Sequence, residues 1–170
     1  LHLRPIRPKD REALNALFGR LSEETIQFRF FTPLRELSDA WLTRLTNVDY
    51  VDRMALVGVL GDDLVAVGRY DRLDDPTRAE AAFTVEDAHQ GRGIGTLLLE
   101  HLALAAGERG IDTFTAEVLT GNRRMLDVFH DTAFPVSQHF EGGAIQLEFP
   151  ITPTEAALVA QARRDHWAEA

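Results

Sequence analysis

A mixed α/β domain, with helices flanking one central sheet, is what these 170 residues encode. Amphipathic helical segments crowd residues 10–46, whereas residues 53–87 read as three β-rich runs joined by turn signals. From residue 88 onward, a glycine-rich turn opens a long apolar helix. A strand, a second helix and a closing strand pair complete the alternation.

The elements follow in order. "LHLRPIR" alternates Leu1, Leu3 and Ile6 with polar residues and reads as a first strand. Pro8 and Asp10 introduce "DREALNALFGRL", where Leu14, Leu17, Phe18 and Leu21 recur at helical spacing. Ser22 opens a second helical segment, "SEETIQFRFF", which Pro33 is expected to stop. Ser38 caps a third, "LSDAWLTRLT". "RMALVGVLG" and "LVAVGRYDR" flank Gly61-Asp62-Asp63 as a hairpin, and "RAEAAFTVED" supplies a further strand. A helix from about Ile94 to Arg109 stops at Gly110. "TFTAEVL" is a strand, "NRRMLDVFHDTA" a helix capped by Asn122, and "PVSQHF" with "AIQLEFPI" a strand pair around Gly142-Gly143. Residues 1–150 form one domain on this reading. Residues 153–170 read as a terminal helix, an extension that docks or leads toward a further domain.

Composition narrows the function. A hydrophobic fraction of 45% suffices for one real core. No run reaches the ~20 apolar residues of a membrane span, and nothing at the amino end resembles a signal peptide. The absence of cysteine removes disulfides and thiol nucleophiles and fits a reducing, cytoplasmic setting. A formal net charge of −9 repels phosphate backbones, so nucleic acid is not an expected partner and a basic, lysine-bearing surface is. Lys9 is the only lysine. The six histidines show no zinc-ligand spacing, and no metal is expected.

The stretch that carries chemistry is "VEDAHQGRGIGTLLLEHL", Val85 to Leu102. A strand entering a glycine-rich turn and then a helix leaves several amide N–H groups unpaired, and the helix start adds roughly half a positive charge. Gly91, Gly93 and Gly95 remove the Cβ atoms that would hold an anion away from that backbone. The turn is built for a phosphate or pyrophosphate. A dinucleotide fingerprint requires G-x-G-x-x-G, and a P-loop requires Gly-Lys-Ser/Thr; this sequence meets neither.

"QGRGIG", Gln90 to Gly95, resembles the Q/R-x-x-G-x-G/A acyl-CoA-binding motif of the GNAT superfamily of N-acetyltransferases. The element order of residues 1–150 agrees. "LSEETIQFRFF", "DYVDRMALV", "GRYDR" and "AEAAFTVEDAHQGRGIGTLLLEHL" are similar to the acetyltransferase domain of bacterial Pat-type protein lysine acetyltransferases. The resemblance implies the GNAT fold, an α+β arrangement around a mixed, mostly antiparallel sheet, and acetyl-CoA as acyl donor. It also implies a protein acceptor with an accessible lysine, with acyl-CoA synthetases as the expected targets and an attached regulatory domain as a frequent companion.

Carried across by position, the resemblance implies that the backbone of Gln90, Gly91, Arg92, Gly93, Ile94, Gly95 and Thr96 holds the pyrophosphate. The strand at Phe83, Thr84 and Val85 then runs beside pantetheine, with Thr84 and Val85 as the backbone partners. The Val85 N–H polarises the thioester carbonyl. Glu80 matches the general base. A lysine amine with pKa ≈ 10.4 is nearly all protonated at neutral pH, so a carboxylate must take its proton. Strand alternation puts Glu80, Ala82 and Thr84 on one face. Glu86 and Asp87, at the start of the loop, shape it. Asn122 both caps its helix and contacts the cofactor arm, and Arg123 or Arg124 meets the 3′-phosphate. Many relatives carry a tyrosine general acid where this chain has Phe129, so that donor is missing here. Two other readings stand beside protein lysine acetylation: acetylation of a small amine or amino acid, and a non-catalytic acyl-CoA-binding domain.

Overall fold

The computed structural model of the protein describes residues 1–152 and 162–163. The terminal helix expected over 153–170 lies outside the described residues, Ala162 and Arg163 apart. In chain order the elements are β1 (His2–Pro5), α1 (Arg11–Arg20), α2 (Glu23–Phe30), α3 (Asp39–Thr46), β2 (Arg53–Leu60), β3 (Asp63–Arg72), β4 (Arg78–Val85), α4 (Ile94–Glu108), β5 (Thr113–Leu119), α5 (Arg123–His130), β6 (Ser137–Glu141) and β7 (Ala144–Pro150). Short 3-10 turns at Pro8–Asp10 and Asp87–His89, not anticipated from the sequence, precede α1 and the glycine turn.

The strands form one seven-stranded sheet in the order β1-β2-β3-β4-β5-β7-β6. Every pairing is antiparallel except β4 with β5. Alternation then sorts side chains to two faces. One face, bearing Ala55, Val57 and Val67, packs against α1, α2 and α3. The other, bearing Ala81, Phe83, Phe114 and Ala116, packs against α4 and α5. Leu98, Leu99, Leu102 and Ala106 of α4 are almost wholly buried there, which is why "TLLLEHLALAA" is apolar without spanning a membrane. No helix among the described residues is long and apolar enough to cross one.

Local chemistry sets the helix ends. Ser22 and Ser38 accept from the amides of Thr25 and Trp41 as N-caps. α2 ends at Phe30, one residue short of the expected segment and three before Pro33. Phe31 adopts a left-handed φ of 60° as its C-cap, so the chain has turned before proline enters.

One irregularity positions the site. β4 and β5 pair only over Arg78–Glu80 and Thr113–Thr115, although β4 runs on to Val85 and β5 to Leu119. Beyond Glu80 the two strands part. The sheet is open at its middle.

Candidate active site

A groove of about 1090 Å³ fills that opening. α2 and the 3-10 turn border one side, β4 and β5 the floor, and the glycine turn and the start of α5 the other end. Residues expected from the sequence to act together are brought together here: Glu80, Phe83, Thr84, Val85, Gln90, Gly91, Gly93, Ile94, Gly95, Thr96, Asn122 and Arg124 all line it. Arg92 does not. It is exposed, with Nη1 3.3 Å from His89 Nδ1.

The glycines of the turn serve two different ends. Gly91 and Gly93 hold φ of 77° and 81°, where a Cβ is strained, and open space surrounds both. Gly95 is already helical, and a Cβ on it would sit 2.8 Å from Val128 Cγ2. It is glycine because α5 crosses α4 there. Helical bonding starts with Leu97 N–H donating to Gly93 O at 3.0 Å. The Gln90 amide, expected among the pyrophosphate donors, is instead spent on Asp87 O at 3.3 Å, whereas the amides of Gly91, Arg92, Gly93, Ile94, Gly95 and Thr96 have no partner among the described residues. They form a run of unshielded dipoles at a helix start, the arrangement that binds an oxyanion.

The side chains around this run brace it. Gln90 Nε2 donates to Val85 O at 3.0 Å, and Gln90 Oε1 accepts from Arg124 Nη1 at 3.0 Å. Arg124 thus bridges α5 to the turn. Thr96 is buried and donates its hydroxyl to Val128 O, which leaves only its amide for a ligand. Glu86 pairs with Arg20 at 2.9 Å, and Asp87 accepts from Ser22 N, Ser22 Oγ and Thr25 Oγ1. Those bonds anchor the turn to the end of α1 and the start of α2, as expected of loop-shaping acids. Sequence could not show which serine and threonine they reach.

Strand parity corrects one expectation. Glu86 N–H donates to Val65 O at 2.8 Å, so Glu86, Thr84 and Ala82 direct their backbone toward β3, in register with Val65, Val67 and Arg69. Thr84 spends its backbone within the sheet. The groups facing the opening are those of Ala81, Phe83 and Val85. Val85 N–H faces the opening past the end of the β5 pairing, free among the described residues, and its carbonyl is held by Gln90. Phe83 takes the place expected for Thr84 as a backbone partner.

Glu80 stands exposed at the point where β4 leaves β5, without an ion pair or hydrogen bond among the described residues. Loss of water raises its carboxyl above the ordinary range, and the charges of Asp71 and Glu117 raise it further while Arg29 opposes. Asp71 lies directly across on β3, and Glu117 two residues beyond Glu80's partner Thr115 on β5. Neither Glu117 nor Arg29 was picked out from sequence; only pairing register could have found the first.

At the far end, Asn122 Oδ1 accepts from Met125 N at 3.2 Å and caps α5, leaving its NH₂ for the groove. Arg123 lies exposed beside Arg124 on the same rim. Phe129 is 1% exposed, edge-to-face with Phe83 and Phe149 at 5.8 Å. It packs the groove floor and carries no proton.

Comparison with known proteins agrees with this geometry. The family model described as Acetyltransferase (GNAT) family matches residues 20–134. The chain is 36% identical over 158 residues to the acetyltransferase Pat of Mycolicibacterium smegmatis, covering 91% of this chain and 46% of that protein. It spans about half the length of that relative. The crystal structure of the GNAT domain of S. lividans PAT superposes with a TM-score of 0.82 at 42% identity, over 87% of this chain and 89% of that one. A more distant likeness in fold, at 18% identity and TM-score 0.70 over 92% of this chain and 96% of the other, is yncA of Salmonella typhimurium, a structure with its cofactor acetyl-CoA. An open sheet, a run of free amides ahead of an apolar helix and the matches in sequence converge: the chain belongs to the GNAT acetyltransferase family.

Proposed function

We propose that this domain transfers the acetyl group of acetyl-CoA to a lysine side chain on a protein, with an acyl-CoA synthetase as the target. The observation that carries the reading is Glu80, a carboxylate on the groove wall free of ion pairs among the described residues, on the strand whose far end turns the Val85 N–H toward the opening.

The amides of Gly91 to Thr96 hold the pyrophosphate of the donor, and the backbone edge of Ala81, Phe83 and Val85 aligns its pantetheine arm. Glu80 takes a proton from the acceptor ammonium, directly or through a water, so that the neutral nitrogen attacks the thioester carbonyl carbon. The Val85 N–H donates to the oxygen as it becomes an oxyanion. The carbon–sulfur bond then breaks, the thiolate leaves, and the second proton of the former ammonium passes from the new amide nitrogen through water to the sulfur. A thiol with pKa ≈ 8.5 is a fair leaving group, so water can reprotonate it and no phenol is required at position 129. The acidic groove and the net charge of −9 favour a cationic acceptor surface.

Mass spectrometry of purified acyl-CoA synthetases after incubation with the domain and acetyl-CoA tests the acceptor. Acetylation confined to one lysine, lost with Glu80→Gln, is the expected outcome. Modification of free amines or amino acids with every synthetase untouched would replace protein by small-molecule acetylation.

A further inference from the structure

Beneath α2, on the sheet face covered by α1 to α3, a second cavity of about 40 Å³ adjoins the groove. Leu17, Phe18, Phe30 and Val67 give it apolar walls. Into those walls the fold sets two guanidinium groups, Arg29 from α2 and Arg69 from β3.

Neither has a counter-charge in contact among the described residues. Arg69 is 7% exposed, and among the described residues its one hydrogen bond runs from Nη2 to Leu45 O at 2.9 Å. Every fully buried side-chain nitrogen or oxygen among the described residues has a partner, so the remaining N–H donors of Arg69 face open space. The cavity supplies it. Arg29 is partly buried, makes no ion pair or hydrogen bond among the described residues, and rests with its guanidinium carbon 5.0 Å from the Phe30 ring centre.

The surrounding charges deepen the deficit. Burial first, and then the charge of Arg29, loosens the proton of Arg69, and Arg53 and Arg44 act in the same sense. Asp71 is the acid that opposes them at Arg69, and it already accepts from Arg53 Nε at 3.1 Å. Glu80 and Asp71 are the acids felt by Arg29, through space and without contact. An arginine in a protein keeps its proton, so this region stays cationic within a chain of net charge −9. Unpaired buried charge is strongly unfavourable, and a bound counter-ion relieves it.

We propose that Arg29 and Arg69 bind one small monoanion, a halide or a carboxylate, in this cavity at the acceptor end of the groove. A water molecule needs roughly 10–15 Å³ of accessible space, so the cavity admits a chloride ion or a carboxylate head. Because Arg29 also lines the main groove, the anion has two sources. It is free in solution, or it is borne by the acceptor and reaches in past α2.

The whole chain is melted at fixed ionic strength while sodium chloride, bromide or acetate replaces the sodium salt of a bulky sulfonate. A saturable rise of a few degrees is expected, as for any ligand that binds only the folded state. It should vanish in Arg29→Met and Arg69→Met. A crystal grown in sodium bromide should place an anomalous peak between the two guanidinium groups. Should Arg69→Met fail to fold, Arg29→Met and the bromide peak decide. Chloride that raises the acceptor KM while leaving kcat unchanged identifies an acceptor carboxylate as a second occupant; an unchanged KM assigns the site to the free ion. Absence of saturation in the wild type, or the same saturable rise in Arg29→Met, overturns the proposal. Melting and diffraction do not use the transfer reaction, so this site and the acetyl-transfer reading fail independently.

Discussion

Glu80 and Asp10 are both carboxylates that feel an arginine's charge, and their surroundings drive them in opposite directions. Water loss, Asp71 and Glu117 raise the Glu80 carboxyl. A base works only when ionised, so the acidic limb of kcat/KM should lie above the ordinary ~4.3 of a glutamate. Glu80→Gln should lower kcat by about 10²–10⁴-fold, the usual share of a general base, with acetyl-CoA affinity unchanged by titration calorimetry. An unaltered rate would take Glu80 out of the mechanism. The raised value also means that the fold holds this proton more tightly than the unfolded chain does. Between the unfolded and folded values stability therefore falls as pH rises, a slope that Glu80→Gln removes. Asp10 is the reverse case. Two hydrogen bonds from Arg4, at 2.7 and 2.8 Å, lead in holding it below its usual range, and Arg7 N adds a third at 2.7 Å. Its contribution is complete above the unfolded value and disappears as pH drops through the folded one. Asp10→Asn should cost about 2 kcal/mol in denaturant melts at neutral pH and little in strong acid.

Among elements, the junction of α4 with the glycine turn and α5 is the most constrained. Gly95→Ala drives a methyl into Val128 and should destabilise by about 1–3 kcal/mol. Val128→Ala in the same chain opens room, so the double variant should regain part of that loss in thermal melts. Strictly additive losses would show that the contact does not limit packing. Gly91→Ala and Gly93→Ala meet open space, so their penalty is backbone strain of about 1–2 kcal/mol from the left-handed φ. These two should weaken acetyl-CoA binding, because relaxing the strain turns amides away from the anion. Equal affinity in both variants would remove the turn from donor binding.

On the scale of the whole molecule, net charge gives a further expectation. If the acceptor is a basic protein surface, its kcat/KM should fall steeply with added salt through the on-rate, while a neutral amine acceptor should respond weakly. Sequence alone determined the element order, the serine caps of α2 and α3, the apolar burial of α4 and the place of the turn. All of these rest on short-range chemistry: periodicity, capping and glycine spacing. Glu80 itself rested on likeness to a family, since alternation told only which neighbours share its face. Tertiary structure decided what depends on register and crossing. The exchange of Thr84 for Phe83 follows from which strand takes each amide. The reason for Gly95 follows from where α5 passes, and the raised carboxyl of Glu80 from acids on two other strands. The pairing of Arg29 with Arg69 joins residues forty positions apart. No local pattern encodes such a meeting, because it is the folding of the sheet against its helices that removes water from both charges at once.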